Sequence, residues 1–242
     1  MSAGYGADLA FVHDAGFGHF ARGAAPWILA LLRRRGIHAG PVVDLGCGSG
    51  IWAAYLCRAG YDVLGVDLSA AMIALARRRA PRAEFRRGSL LTTRLPPCAA
   101  VTSLGECLSY AFDSRSGARA LPGLFRRVHR ALRPGGLFVF DAATPGRGAG
   151  PPVRWHAGDG WVVIARVDED AGRRTLSRRI TTFRRRGRTW RRSDEVHTLR
   201  LYRPPDVLRA LAAAGFRARA LRGYGRLRLP WGWTVFVASR RA

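Results

Sequence analysis

Between Pro41 and Phe140 short apolar runs alternate with helical stretches, and that alternation limits the chain to very few folds. Pro41–Leu45, Asp62–Val66, Cys98–Ser103 and Leu137–Phe140 each carry four to six mostly apolar residues bounded by turn formers, as strands buried on both faces do, and Ala83–Arg87 reads as a further strand. Ile51–Ala59, Ala70–Arg79 behind the N-cap Ser69, and Gly117–Leu132 separate them as helices. Strand and helix alternating at this spacing demand a parallel sheet covered on both sides. The pattern changes after Asp141. A loop rich in Gly and Pro leads to Trp161–Val167, Thr175–Phe183 and Thr189–Leu201, three strand-like runs separated by turns at Glu169–Gly172 and Gly187, which predict an antiparallel meander. Pro204–Pro205 opens a helix closed by Gly215, and Phe216–Leu221 and Thr234–Ala238 read as final strands. Before the first strand, Pro26 heads an apolar stretch ending in Arg33–Arg34–Arg35–Gly36, a helix with Pro at its start.

The expected architecture is therefore α/β: a doubly wound, mostly parallel seven-stranded sheet with helices on both faces, and an antiparallel β-meander cap inserted after the fifth strand. Four segments follow: a helical N-terminal lid at 1–40, a nucleotide-binding core at 41–142, the cap at 143–203, and a helix and strands at 204–242 that complete the core sheet.

Charge is a poorer guide. The formal charge of +25 arises from 41 basic against 16 acidic residues, a balance that ordinarily points to nucleic acid or an anionic surface. Here every basic residue is Arg, and Lys, Asn and Gln never occur, so coding bias accounts for much of the excess. The four cysteines form no C-x-x-C pair and sit in apolar runs, as reduced intracellular thiols do. No basic leader precedes an apolar core and no apolar run is long enough for a span, so a cytoplasmic protein without a membrane partner is expected.

The chemistry concentrates in Val42-Val43-Asp44-Leu45-Gly46-Cys47-Gly48-Ser49-Gly50-Ile51, a strand, a glycine loop and a helix start. Such a turn lets a ligand approach the backbone beside a helix N-terminus. A dinucleotide fingerprint reads G-x-G-x-x-G, but position 51 is Ile and the third glycine comes one place early. Asp44, two residues ahead of the loop, would repel a pyrophosphate and would suit a ligand carrying ammonium and sulfonium cations. Asp67, at the carboxyl end of the next strand, can accept both hydroxyls of a ribose.

Together with Arg133-Pro134-Gly135-Gly136-Leu137, these segments resemble the class I, Rossmann-like S-adenosylmethionine-dependent methyltransferases over roughly residues 40–142. The resemblance implies S-adenosylmethionine as cofactor. It places Asp44 behind the methionine ammonium, Gly46, Cys47 and Gly48 against the methionine portion, Asp67 on the ribose, and Leu68 and Met72 beside the adenine. Gly88, Ser89 and Leu90 stand where many members have Gly-Asp at the adenine edge, so an acid is replaced here by serine. Leu104 lines the sulfonium, and Arg22, in a segment that folds over the cofactor, pairs with the methionine carboxylate. No metal is implied: Asp141 is a lone acid where metal-dependent members place a ligand.

The cap and the run Glu195–Tyr202 resemble small-molecule members, notably the glycine and amino-sugar N-methyltransferases. That implies methyl transfer to an amine or hydroxyl of a small acceptor by in-line displacement. His197 is the candidate base and Glu106 a carboxylate that orients the acceptor, with Tyr110, Trp155 and Tyr202 lining its pocket. The alternatives are an RNA methyltransferase using arginine runs such as Arg184-Arg185-Arg186 and Arg191-Arg192, and a cofactor-binding scaffold without catalysis.

Overall fold

A computed structural model describes residues 5–117 and 120–241. The chain begins with α1 (Ala7–Phe17) and α2 (His19–Arg34), and then alternates β1 (Gly40–Leu45), α3 (Ile51–Arg58), β2 (Tyr61–Asp67), α4 (Ala70–Arg79), β3 (Glu84–Arg87) and β4 (Cys98–Ser103). A single 3₁₀ turn at Cys107–Ser109 precedes α5 (Ala120–Ala131) and β5 (Leu132–Ala143). Next come β6 (Val153–Gly158), β7 (Trp161–Asp170), β8 (Thr175–Arg186) and β9 (Thr189–Arg200). The chain closes with α6 (Pro204–Ala213), β10 (Phe216–Leu221), a two-residue hairpin of β11 (Gly223–Tyr224) and β12 (Leu227–Arg228), and β13 (Trp233–Arg240).

Seven strands form one sheet in the order β10-β13-β5-β4-β1-β2-β3. The strands from β3 to β5 are parallel, whereas β13 runs antiparallel to both β5 and β10. Alternate residues of each strand feed two cores. Val42, Val63, Ala100, Val139 and Val235 join residues of α2, α3 and α4 on one side, while Val43, Leu45, Val101, Phe140 and Phe236 join α5 and α6 on the other. Because β1 pairs with β2 on one edge and β4 on the other, the chain order reverses at β1, which opens a crevice at the carboxyl ends of these strands.

The second sheet, β6-β7-β8-β9, is antiparallel throughout. Its inner face meets α1: Leu9 and Val12 bury against Trp161, Val163 and Ile180. Asp8 anchors that contact, accepting hydrogen bonds from Arg191 at 2.6 and 2.5 Å, with Arg184 and Arg186 also within ion-pair range. Burial opposes its ionisation, but these arginines hold its carboxyl below the usual range.

Three expectations need correction. The first helix of the core does not start at Pro26; α2 begins at His19 and carries Pro26 in its interior. Pro removes one backbone donor there, but Ala24, Ala25 and Ile28 are wholly buried in the core, and their packing outweighs the missing bond. The lid expected at 1–40 accordingly divides. α1 packs on the cap, while α2 belongs to the core layer beside α3. The meander has four strands, because the segment after Pro152 forms β6 at the sheet edge, where most of its residues, Val153 and Trp155 included, face solvent.

Candidate functional site

The glycine loop is stitched to the end of β2: Gly46 and Cys47 both donate backbone N–H groups to the Val66 carbonyl, at 2.7 and 3.0 Å. Gly50 caps α3 in a left-handed conformation (φ 76°), and a Cβ there would lie 2.9 Å from the Ala76 Cα, so only glycine lets α3 sit this close to α4. Gly48 differs. Nothing lies within 4 Å of where its side chain would be, which leaves an open cradle above the loop.

Asp67 closes the cradle's side. Its Oδ2 accepts from Gly48 N–H at 2.9 Å and its Oδ1 from Ser69 N–H at 2.8 Å, with Ser69 capping α4 through Met72 N–H. Each oxygen retains a free lone pair for a diol. Asp44 lies beneath, fully enclosed, accepting from Thr102 Oγ1 at 2.9 Å, and Thr102 in turn accepts from Trp52 Nε1 at 3.0 Å. Burial pushes the Asp44 carboxyl up to about 7, with the Asp67 charge adding to the shift. Asp67 is raised by burial as well, against its backbone donors.

Asp141, within β5, is also buried and raised by desolvation to about 6. It gathers Gly105 and Glu106 N–H, Tyr224 Oη–H at 2.5 Å and Trp233 Nε1–H at 2.7 Å. These bonds pin the turn after β4, where Glu106 takes the uncommon φ of 61°. The turn aims the Glu106 carboxylate at two arginines, Arg147 (2.5 Å) and Arg178 (2.9 Å). Burial works against the Arg178 cation, but Glu106 and Tyr110 more than restore it and raise its pKa. In a chain of +25, the interior ends of these strands thus collect Asp44, Asp67, Glu106 and Asp141. Glu106 is covered by its two arginines, whereas Asp44 and Asp67 have no cation beside them among the described residues, so the glycine-loop end of the crevice favours a cation over a phosphate.

Beyond Asp67 a cleft is walled by Leu68, Leu90, Leu108, Leu121 and Tyr202 and floored by Gly88 and Ser89. Ser89 is buried, and its hydroxyl donates to Asp113 Oδ2 while accepting from Leu91 N–H at 3.0 Å. Asp113 is itself only 8% exposed. An apolar slot with one carboxylate at its inner end is the shape of a site for a flat heteroaromatic base with a donor edge.

Residues 42–136 match a family described as methyltransferase domain. Over 238 residues the chain is 26% identical to dTDP-3-amino-3,4,6-trideoxy-alpha-D-glucopyranose N,N-dimethyltransferase of Streptomyces venezuelae, covering 90% of this chain and 94% of that protein. The crystal structure of Streptomyces venezuelae DesVI superposes with a TM-score of 0.81 at 25% identity, covering 98% of this chain and all of that one. A methyltransferase from Clostridium acetobutylicum, at 18% identity, shares the fold with a TM-score of 0.82 over 97% of this chain and 98% of its own. The chain is a class I S-adenosylmethionine-dependent methyltransferase.

S-adenosylmethionine, the cofactor of this methyltransferase, fits what the crevice offers: an open cradle at Gly48, lone pairs on Asp67, buried acids for its cations and the leucine-walled slot. Gly46, Asp67, Leu68, Gly88, Ser89 and Leu90 all line that cleft, together with Tyr110 and Tyr202. Arg22 lies on α2, with its guanidinium beside Gly18 and Ile51 at the head of α3. Cys47 and Met72 are buried, and Leu104 packs against the α2–α3 side of the core.

Two expectations about site residues change. Trp155 does not line the pocket: it stands on β6 opposite Ile164, on the solvent face of the cap, 68% exposed. Glu106 is not a free carboxylate at the pocket mouth, since Arg147 and Arg178 occupy both its oxygens. The arginine runs of the cap are likewise engaged, Arg184, Arg186 and Arg191 with Asp8, Arg185 with Asp159 and Arg192 with Asp194. Among the described residues no helix is long and apolar enough to cross a membrane.

His197 sits on β9, 2% exposed, enclosed edge-on by the rings of Tyr5, Tyr110 and Phe112 at 4.9, 5.6 and 5.5 Å. Its Nε2 meets Glu195 Oε2 at 2.9 Å, and its Nδ1 is buried without a partner. Sequence reasoning passed over Glu195, Tyr5, Arg147, Arg178 and Asp113. Only Glu195 carried a signal: two residues from His197 on a strand, it shares that residue's face.

Proposed function

We propose that this methyltransferase alkylates the amino group of a small acceptor, an amino sugar carried on an anionic nucleotide, with His197 as the base that takes the proton from the ammonium. The observation that carries this reading is the orphaned Nδ1 of His197. A buried ring nitrogen surrounded by aromatic faces has no stabilising partner within the protein, so an ammonium or hydroxyl proton is what it is built to meet. The dTDP-sugar substrate in the name of the Streptomyces venezuelae relative, together with a match along nearly the whole chain, supports the amino sugar. Arg147 and Arg178 exceed Glu106 by one charge, which favours an acceptor bearing a negative group.

When bound, S-adenosylmethionine supplies a methyl group on a sulfonium, an electrophile that needs an unprotonated lone pair opposite the sulfur. The protein's own work is then positional. Asp67 holds the ribose, Ser89 and Asp113 read the adenine amine, and Arg22 and Asp44 bracket the amino-acid end. Tyr5 and α1 close the crevice from the cap side and exclude water. The RNA alternative is weakened where Arg184, Arg186 and Arg191 converge on Asp8 and hold α1 to the cap, a structural task that accounts for these runs without a polyanion.

Replacing His197 by Ala tests the reading against a panel of nucleotide-linked amino sugars. Turnover at saturating acceptor should fall by roughly 10²-fold or more, the usual contribution of a general base, with S-adenosylhomocysteine affinity unchanged. Full turnover in the variant would remove His197 from the chemistry.

A further inference from the structure

We propose that Glu195 is the positioning carboxylate for His197, and that backbone of the N-terminal segment at Tyr5–Gly6 holds it in place. The inference rests on the reading of His197 as base. Glu195 and His197 project from the same face of β9, paired across the sheet with Ile180 and Arg178. An ionised carboxylate only accepts hydrogen bonds, so its contact with Nε2 at 2.9 Å makes that nitrogen the donor. The neutral ring then carries its proton on Nε2 and its lone pair on Nδ1, the atom left without a partner.

The other oxygen of Glu195 has a donor of its own: Gly6 N–H at 3.1 Å. Tyr5, next in the chain, is fixed three ways. Its carbonyl accepts from Ser69 Oγ at 2.6 Å, its hydroxyl pairs with that of Tyr110 at 2.9 Å, and its ring covers His197. Ser69 is also the residue whose N–H meets Asp67. One stretch of backbone therefore links the ribose side of the crevice to the orientation of the base. The charged and titratable groups around the imidazole are Glu195 on its own strand, Arg178 on β8, Tyr5 and His13 from the N-terminal segment and Tyr110 beyond β4. His13 is driven down to about 4 by burial and is neutral near pH 7, and of these groups Glu195 is the carboxylate in hydrogen-bond contact with the ring.

Ring ¹⁵N spectra of the ligand-free protein test this directly, with the His197 signals among those of the six histidines assigned by their loss in His197→Ala. The wild type should show the Nε2–H tautomer. Glu195→Ala should mix the two tautomers and lower kcat by at least about 10-fold, within the span a general base contributes, while S-adenosylhomocysteine affinity stays the same. Glu195→Gln, whose carbonyl still accepts, should recover most of the tautomer and part of kcat. An Nδ1–H tautomer in the wild type, or an unaltered tautomer in Glu195→Ala, overturns the proposal. If His197→Ala keeps full turnover, the base assignment falls instead, and the spectra still decide whether Glu195 orients the ring.

Discussion

Asp113 lies 24 residues beyond Ser89, on the loop after the fourth parallel strand, and yet completes the inner end of the base slot. Where Ser89 lacks a carboxylate of its own, its hydroxyl donates to Asp113, whose Oδ1 is steadied by Arg115 N–H at 3.0 Å. If this acid accepts the exocyclic amine of adenine, Asp113→Asn replaces a charge-assisted bond by a neutral one, and Asp113→Ala deletes it. A hydrogen bond to a charged group contributes about 1.5–3 kcal/mol. The dissociation constant should therefore rise roughly 10- to 150-fold. Calorimetry with S-adenosylhomocysteine and its 6-oxo (inosyl) analogue separates this loss from a general loosening of the loop. The wild type should prefer the amino ligand strongly, Asp113→Asn should bind the two nearly alike because its amide can donate to the oxo group, and the paired exchange Ser89→Asp with Asp113→Ser should restore the preference. A wild-type protein indifferent to the 6-substituent, or an Asp113→Asn variant with undiminished preference, refutes the assignment.

Asp44 gives a pH dependence with a definite sign. Its carboxyl, held up to about 7 by burial, carries a proton in part of the ligand-free population at neutral pH, and a cationic ligand favours the ionised form. Cofactor affinity should rise with pH by up to about tenfold per unit below 7 and level off above it, with proton release detectable by calorimetry in buffers of different ionisation enthalpy. The slope should vanish in Asp44→Asn, and a flat profile in the wild type would contradict the linkage. Gly50→Ala places a side chain in the left-handed region and against the Ala76 backbone, and should lower stability by at least about 1–2 kcal/mol. An unchanged melting temperature would show that α3 and α4 can separate at no cost.

The inner parallel strands were legible because a strand buried on both faces writes a continuous apolar run, and Cys98–Ser103, buried at every position, falls on the residues expected. The edge strand β6 was not: it is six residues long, follows a Gly- and Pro-rich loop, and its alternating apolar residues Val153 and Trp155 face solvent instead of a core. The interior Pro26 misled for a different reason: local propensity ends a helix there, and only the buried alanines ahead of it carry the helix through. The nucleotide end of the site could be read because its loop and its acid are fixed by the strand–loop–helix unit that contains them. Asp113, Arg147 and Arg178 reach the site from loops and strands whose own residues give no hint of it. The roles of Arg147 and Arg178 exist only once the cap is folded over the core, and that of Asp113 only once its loop is packed on Ser89.

Charge shows why that distinction matters. A chain with 41 arginines and 16 acids invites a search for a polyanion, yet the side chains that are both charged and buried are acids, namely Asp8, Asp44, Glu106, Asp113 and Asp141 among the described residues. Arginine's long stem lets its guanidinium stay near water while still reaching a carboxylate, as Arg191 does to Asp8. Five of the sixteen acids are thus held inside, and the surface is left with an excess of cations that any solvated position tolerates. Net charge then reports the surface, and the crevice carries the opposite sign. A ligand that is cationic at its sulfur and its amine is attracted to the glycine-loop end of the crevice because Asp44 and Asp67, unlike exposed carboxylates such as Asp62, Glu84 and Asp159, lie where water screens them little.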